Sequence, residues 1–198
     1  MMIENSMKEF LEKVASKSPT PGGGSVAALA GAIACSLASM VCNLTIGKKK
    51  YEDVEEKMKE YLDAVGKMKN EFEILIDEDA RAFDKVMEAF KLKKNLQEAY
   101  KNASLVPLKT AEKSLEAIKY IFNIAKYGNK NAISDAGVAA QMANASFHSA
   151  LFNVKINLPY IEDEKYRNDL EEKLFKMENE MKDLFNKTME EVKNRMEK

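Results

Sequence analysis

The longest stretch without charge constrains this chain most. Residues 18–47 carry no charged side chain, although charged residues make up 32% of the sequence. The stretch opens with PTPGGGSVAALAGAI and is followed by three lysines at 48–50. It is long enough to cross a membrane, but small residues dominate it and it contains no aromatic anchor. We therefore expect a buried helix that its neighbours approach closely, rather than a membrane span.

The rest of the chain has helical periodicity. Apolar residues recur at steps of three and four over long segments, a pattern typical of amphipathic helices, and no sustained alternation of period two indicates a strand. The sequence therefore predicts one all-α domain over residues 1–198, a multihelical bundle of long and short helices. Beyond the uncharged stretch, the predicted helices cover residues 6–16, 51–90 (one helix or two nearly collinear ones), 96–103, 107–127, 131–154 and 170–192.

Composition argues against several classes of partner. The net charge is −1, with 31 basic and 32 acidic residues, so nothing favours nucleic acid or an anionic membrane. Cys35 and Cys42 would lie about 10 Å apart along one helix, too far for a disulfide. They fit a reducing compartment, and the N-terminus has no signal-peptide pattern. We expect a cytoplasmic protein.

Asp79 interrupts the apolar seam of the 51–90 segment. A carboxylate at a core position is costly unless it is paired or functional. Alternatively, the helix breaks near residues 77–79 and the aspartate caps a second helix. The sequence leaves both interpretations open.

The helix predicted over 131–154 carries a polar stripe that we expect to line a cleft. His148 in this stripe is the only histidine, so the sequence gives little support to a histidine metal site or a Ser–His triad. A satisfied buried histidine is the alternative to a catalytic one. Asp135 opens the same helix, either as an N-terminal cap or as a proton carrier at the mouth of the cleft. The stripe consists of Ser134, Gln141, Asn144, His148 and Lys155.

The two ends of the uncharged stretch are candidate ligand sites. A glycine-rich turn, Gly22–Ser25, precedes a helix whose first N–H groups can bind an anion. It lacks the GK[ST] sequence and the preceding strand of a nucleotide-binding loop. The lysines at 48–50 follow the helix, where its dipole favours cations in any case. Helix-end charges are therefore the alternative to ligand contacts.

Three segments of the chain are distinctive together: PTPGGGSVAALAGAIACSLASMVCNLTIGKKKY at 19–51, DEDARAFDKVMEAFKL at 77–92 and NAISDAGVAAQMANASFHSALFNVKINL at 131–158. They resemble the cyclodeaminase/methenyltetrahydrofolate cyclohydrolase family, which also forms the C-terminal half of formiminotransferase-cyclodeaminase. They stand in the family's order and spacing, and the resemblance covers essentially the whole chain. Lys93 departs from it, because members often carry a proline soon after the middle segment.

The resemblance implies an all-helical homodimer that acts on one-carbon tetrahydrofolates without a metal or redox cofactor. The implied reaction cyclises 5-formimino-tetrahydrofolate to 5,10-methenyl-tetrahydrofolate with release of ammonia, as in histidine degradation. The alternatives are methenyl-tetrahydrofolate cyclohydrolase activity, which gives 10-formyl-tetrahydrofolate, and a non-catalytic folate-binding helical module. No transferase segment is present, so a separate formiminotransferase is a candidate partner.

The implied chemistry assigns roles to the candidate residues. Both reactions pass through a tetrahedral carbon between N-5 and N-10, which requires a proton carrier, and the glutamyl carboxylates of the folate require a clamp. The predicted catalytic residues are Asp79, Asp135 and His148. The predicted substrate-binding residues are Gly22, Gly23, Gly24, Ser25, Asn43, Lys48, Lys49, Asn144 and Lys155.

Overall fold

The computed structural model describes residues 2–197, and the regular elements in that range are helices joined by short turns. The prediction of an all-α fold is confirmed. Ser6 caps the first helix through a reciprocal capping box with Glu9. The α-helices are α1 (Met7–Val14), α2 (Gly23–Asn43), α3 (Glu55–Leu92), α4 (Leu96–Tyr127), α5 (Ile133–Lys155) and α6 (Glu164–Glu197).

Helix α3 is uninterrupted from Glu55 to Leu92, and most of its apolar seam is buried, including Met58, Val65 and Phe72. Because no break occurs at residues 77–79, the hypothesis that Asp79 caps a second helix is wrong. The chain turns back into α4 through a short connection in which Lys93 and Asn95 adopt left-handed backbone conformations.

Helix α4 runs straight through Pro107, so the prediction of separate helices over 96–103 and 107–127 is wrong. A proline inside a helix leaves the carbonyl four residues earlier without its usual N–H donor. Here that carbonyl belongs to Ala103, and the side-chain amide of Asn157 donates to it at 3.2 Å. A residue just beyond α5 therefore compensates for the proline.

Helix α2 packs between α3 and α5, with α4 behind it. Its buried side is almost entirely small: a Cβ at Gly31 would come within 2.4 Å of the Phe72 ring. Ser146 on α5 donates to the Ala27 carbonyl at 2.7 Å. Residues Gly23–Thr45 are long and apolar enough to cross a membrane, but 56% of their most apolar stretch is buried inside the fold. The small residues thus let neighbouring helices of the same chain approach.

The larger apolar residues of α2 point outward. Val26, Met40 and Leu44 are each about 40% exposed, and Phe152 on the adjacent α5 is 72% exposed. These residues lie on the sides of α2 and α5 that turn away from α4, and no charged side chain interrupts them. We call this surface the α2–α5 face; it comprises Val26, Ile33, Leu37, Met40 and Leu44 of α2 and Val138, Ala145, Phe152 and Ile156 of α5.

Cys35 and Cys42 are free thiols, as predicted, and both are fully buried in α2. Burial raises the pKa of each thiol to about 12, because a thiolate would lose its hydration there. Both therefore serve as small apolar core residues.

Candidate active site

The carboxylate of Asp79 is pressed against the first turn of α2. Ser25 Oγ lies 3.1 Å from Asp79 Oδ2 and 2.9 Å from the carbonyl oxygen of Ile76. A Cβ at Gly24 would sit only 1.9 Å from Asp79 Oδ1, so no other residue fits at position 24 without moving the carboxylate. The glycine-rich turn is thus shaped around one side chain of α3.

The surroundings of Asp79 favour its neutral form. Burial raises the pKa of this carboxyl above its ordinary value, and hydrogen bonds from the Ser25 hydroxyl and backbone N–H oppose the shift in part. The Ser25 hydroxyl has one proton and two oxygens within reach. It can donate to an ionised Asp79, or donate to Ile76 and accept from a protonated Asp79. Both protonation states of Asp79 therefore keep a partner.

Asp79 opens into a cleft of about 320 Å³ between α2, the end of α3 and the end of α5. This volume is at the lower end of the usual range for small-molecule sites. Phe83 and Tyr160 supply aromatic surface and Asn153 a polar side chain. No lysine or arginine within residues 2–197 lines the cleft. The lining residues are Pro19, Thr20, Gly22, Gly23, Gly24, Asp79, Ala82, Phe83, Val86, Ala103, Asn153, Ile156, Asn157 and Tyr160.

Two lining residues, Asn153 and Asn157, were not among the sequence candidates. Asn153 donates its amide to the Ser149 carbonyl at 2.8 Å, which orients the side chain, and its terminal atoms lie about 3.5 Å from a Cβ built at Gly23. Asn157 uses its amide on the Asn153 and Ala103 carbonyls. Two asparagines four residues apart at the end of an apolar helix were the available signal, but the more conspicuous polar stripe obscured it.

The structure brings together only part of the predicted site. The Gly22–Ser25 turn and Asp79 meet at the N-terminal end of α2. Asn43, Lys48 and Lys49 lie at or beyond its C-terminal end, about 30 Å away at the rise of an α-helix, and all three are exposed. The prediction that the glycine turn and the lysines form one clamp is therefore wrong within a single chain.

Asp135 also lies away from the cleft. It is in the first turn of α5, but Ala132 is the N-cap residue and no side chain caps this helix, so the capping interpretation is wrong. The cleft lies near Asn153, about 27 Å further along α5. Asp79 and Asp135 of one chain therefore do not share a cleft, and the catalytic role of Asp135 stays a prediction.

The polar stripe of α5 does not line this cleft. His148 and Lys155 are exposed, Lys155 forms an ion pair with Glu178 of α6 at 2.8 Å, and Asn144 is half-buried. Asn153 projects about 140° around the helix axis from His148. The histidine packs edge-on against Phe147, with ring centroids 5.2 Å apart. It is therefore not the buried histidine of the alternative interpretation, and its role stays a prediction.

Within residues 2–197, no group of three or more histidine, cysteine, aspartate or glutamate side chains is arranged to hold a metal ion. The chemistry that this cleft offers on its own is proton transfer by one desolvated carboxyl group, beside the free N–H groups of a helix N-terminus.

Comparison with known proteins agrees with the resemblance seen in the sequence. A family model described as formiminotransferase-cyclodeaminase matches residues 6–176. The methenyltetrahydrofolate cyclohydrolase of Methylorubrum extorquens is 41% identical over 189 residues, which cover 90% of this chain and 89% of that protein. The formimidoyltransferase-cyclodeaminase of Mus musculus is 34% identical over 177 residues, which cover 84% of this chain but 33% of that protein.

Among solved structures, the formiminotetrahydrofolate cyclodeaminase of Thermotoga maritima superimposes with a TM-score of 0.94 at 36% sequence identity, covering 98% of each chain. Sequence, family model and fold thus agree along the chain. The protein belongs to the formiminotransferase-cyclodeaminase family.

Proposed function

We propose that this protein hydrolyses 5,10-methenyl-tetrahydrofolate to 10-formyl-tetrahydrofolate, and that Asp79 is the proton carrier. The observation that carries the proposal is the desolvated Asp79 carboxyl at the base of the cleft, held against Gly24 and Ser25. The name of the M. extorquens relative, matched at 41% identity over nearly its whole length, favours hydrolysis as the reaction.

The substrate explains why a carboxylate suits this position. The methenyl bridge between N-5 and N-10 carries a delocalised positive charge, which an ionised Asp79 attracts. Water adds to the bridging carbon, and Asp79 accepts a proton from it as general base. Asp79 then gives this proton to N-5 as the bond between N-5 and the carbon breaks, and the hydroxyl proton of the tetrahedral intermediate is released to solvent as the formyl C=O forms. A raised pKa at Asp79 suits a group that must both take up and release a proton.

The remaining lining residues fit the pterin and the adjoining aryl ring. Phe83 and Tyr160 present aromatic surface for stacking, and the Tyr160 ring is itself held by stacking on Tyr100, with centroids 5.0 Å apart. Asn153 and the first N–H groups of α2 supply hydrogen-bonding groups for the heterocycle.

Formiminotetrahydrofolate cyclodeaminase activity is the second candidate, favoured by the close match to the T. maritima structure. In that reaction N-10 attacks the formimino carbon, and the same carboxyl group delivers a proton to the leaving ammonia. Purified protein assayed with each substrate decides between them, because the methenyl compound absorbs in the near ultraviolet and is consumed in one reaction and formed in the other.

The rate must be compared with a buffer blank, because the methenyl compound also hydrolyses in buffer. Catalysis with neither substrate would contradict the proposal and leave the third possibility, a non-catalytic folate-binding module. That module would bind a reduced folate in calorimetry without turning it over.

We further propose that the protein is a homodimer formed through the α2–α5 face. The two helices are each about 30 Å long and lie about 10 Å apart, so their footprint is roughly 600 Å² per chain. Burying this face on both chains approaches the lower limit for stable interfaces. A monomer at micromolar concentration in light scattering would contradict this part. Ala32 is already buried within the chain, so enlarging it would test folding rather than assembly.

A further inference from the structure

The cleft lacks one feature that its proposed substrate requires. A tetrahydrofolate carries two carboxylates on its glutamate, and more when it is polyglutamylated. Among residues 2–197, the only charged residue that lines the cleft is Asp79, which is acidic. If the proposed function is correct, on which this inference rests, a cation for the tail must come from elsewhere.

The opposite end of α2 carries the positive charge that the cleft lacks. Around Tyr51 and Tyr127 lie six lysines, and within residues 2–197 none of them reaches a carboxylate at ion-pair distance. The Tyr51 hydroxyl accepts from the backbone N–H of Lys130 at 2.9 Å, which ties the turn after α2 to the start of α5. We call this set the lysine cluster; it comprises Lys48, Lys49, Lys50, Lys57, Lys126 and Lys130.

The cleft and the lysine cluster are separated within a chain by the length of α2, and the uncharged α2–α5 face connects them. A second copy can cover that face about a two-fold axis in two simple ways. If the axis runs along the helices, like ends meet, and the lysines that directly follow α2, Lys48–Lys50, face those of the second copy. If the axis crosses α2 near its middle, at Ile33, the two α2 helices run antiparallel and unlike ends meet. Electrostatic repulsion disfavours the first arrangement.

We propose that a second copy of this chain docks on the α2–α5 face with the α2 helices antiparallel, so that the partner's Lys48 and Lys49 complete the cleft and bind the carboxylates of the folate tail. The first turn of α5 lies at the same end as the lysine cluster, so the partner's Asp135 comes to the edge of the cleft as well. The residues that the sequence predicts as one site, and that a single chain holds about 30 Å apart, then belong to one composite site.

Mixing two inactive variants tests this arrangement. Asp79→Asn removes the proton carrier, and Lys48→Glu with Lys49→Glu reverses the charge of the clamp. The two chains are co-expressed with different tags, and heterodimers are isolated through both tags. kcat/KM is measured with a diglutamyl methenyl substrate below saturation.

In the composite arrangement, each heterodimer has one intact cleft and one doubly altered cleft. Its kcat/KM per dimer is then about half that of the wild-type dimer, and an unsorted equal mixture recovers about one quarter of the wild-type value. If the clamp acts on the cleft of its own chain, the heterodimer stays inactive. If the lysines do not contact the tail, the Lys48→Glu, Lys49→Glu homodimer itself keeps the wild-type kcat/KM. Either result overturns the inference. Inactivity of the wild type itself would instead refute the proposed function.

A substitution on the α2–α5 face tests independently whether activity requires the dimer. Met40 lies about 25 Å along α2 from the cleft of its own chain. Met40→Asp should convert the dimer to a monomer in light scattering, keep the helical circular dichroism spectrum and lower kcat/KM at least 10-fold. A folded monomeric variant with wild-type kcat/KM would overturn the composite site.

Discussion

The two ends of α2 carry residues of the same predicted site but differ in construction. At the N-terminal end, Asp79 is desolvated and fitted against Gly24 so closely that a single methyl group would displace it. At the C-terminal end, Lys48 and Lys49 are exposed on a turn that leaves their side chains free. The first arrangement suits proton transfer, which depends on position, and the second suits attraction of a flexible anion, which depends on charge. Changes at the first end should affect kcat and those at the second KM.

The largest effect is expected from Asp79→Asn. The amide can still accept from Ser25 but cannot carry a proton, so kcat should fall about 100-fold or more. The exposed Asp84 on the same helix provides the control, and Asp84→Asn should leave kcat within about twofold of wild type. Steady-state kinetics with both folates measures the difference. A fully active Asp79→Asn enzyme would show that this carboxylate is structural.

A glycine at each end of α2 sharpens the comparison. Gly24→Ala must push the Asp79 carboxylate aside, and we expect kcat to fall about 10- to 100-fold because the proton carrier is misplaced. A Cβ added at Gly47 would meet no atom within 4 Å, but the backbone φ of +73° lies in the left-handed region that favours glycine. Gly47→Ala should therefore lower the free energy of unfolding by about 1 kcal/mol and leave kcat unchanged. Kinetics and urea titration of both variants test this contrast, which equal losses of kcat would contradict.

Smaller effects are expected from the lysines. Lys48→Ala or Lys49→Ala should raise KM for a polyglutamylated folate about 5- to 30-fold, and KM for the monoglutamate less, because each lost charge contact costs about 1–2 kcal/mol of binding. The exposed Lys182 of α6 is the control. Raised salt should reduce the difference between wild type and variants. Equal changes for both substrates would identify the lysines as helix-end charges only.

The smallest expected effect is on how the free energy of unfolding depends on pH. The pKa of Asp79 is raised in the folded protein, so its contribution to stability is greatest below the ordinary aspartate pKa and is lost as pH rises through the folded value. Asp79→Asn should therefore be more stable than wild type near neutral pH, and this advantage should shrink towards about pH 4. Urea unfolding of both proteins across that range measures the trend. If the stability difference between Asp79→Asn and wild type instead grew towards acidic pH, the pKa of Asp79 would not be raised in the folded protein.

Local patterns in the sequence predicted much of the fold. The three-four spacing of α3 and α6 and the uncharged sequence of α2 each depend on neighbouring residues only. The error at Pro107 has a physical reason: the donor that lets α4 continue is Asn157, 54 positions away from the carbonyl it serves. No local pattern shows that compensation.

The candidate site could be predicted only where a local pattern in the sequence marks it. Asp79 was found because a carboxylate on an apolar seam breaks a local rule, and the glycine turn because a helix must start there. That these two meet depends on how α2 packs on α3. Asn153 was missed because the polar stripe of α5 is more conspicuous, and because its position beside the first turn of α2 depends on how the two helices pack. Helix periodicity shows which residues share a face of a helix, but it does not show whether residues at its two ends, such as the Gly22–Ser25 turn and Lys48, belong to one site.

The two buried thiols of α2 provide a way to follow its motion. Cys35 and Cys42 are inert while α2 stays packed between α3 and α5, because they are shielded and their pKa is about 12. A thiol reagent in excess therefore modifies them only when the helix transiently opens, and the labelling rate reports the free energy of that opening. Since the first turn of the same helix holds the Asp79 carboxyl, ligand that orders the cleft should slow the labelling. The chain thus contains an intrinsic chemical probe of the local opening of α2.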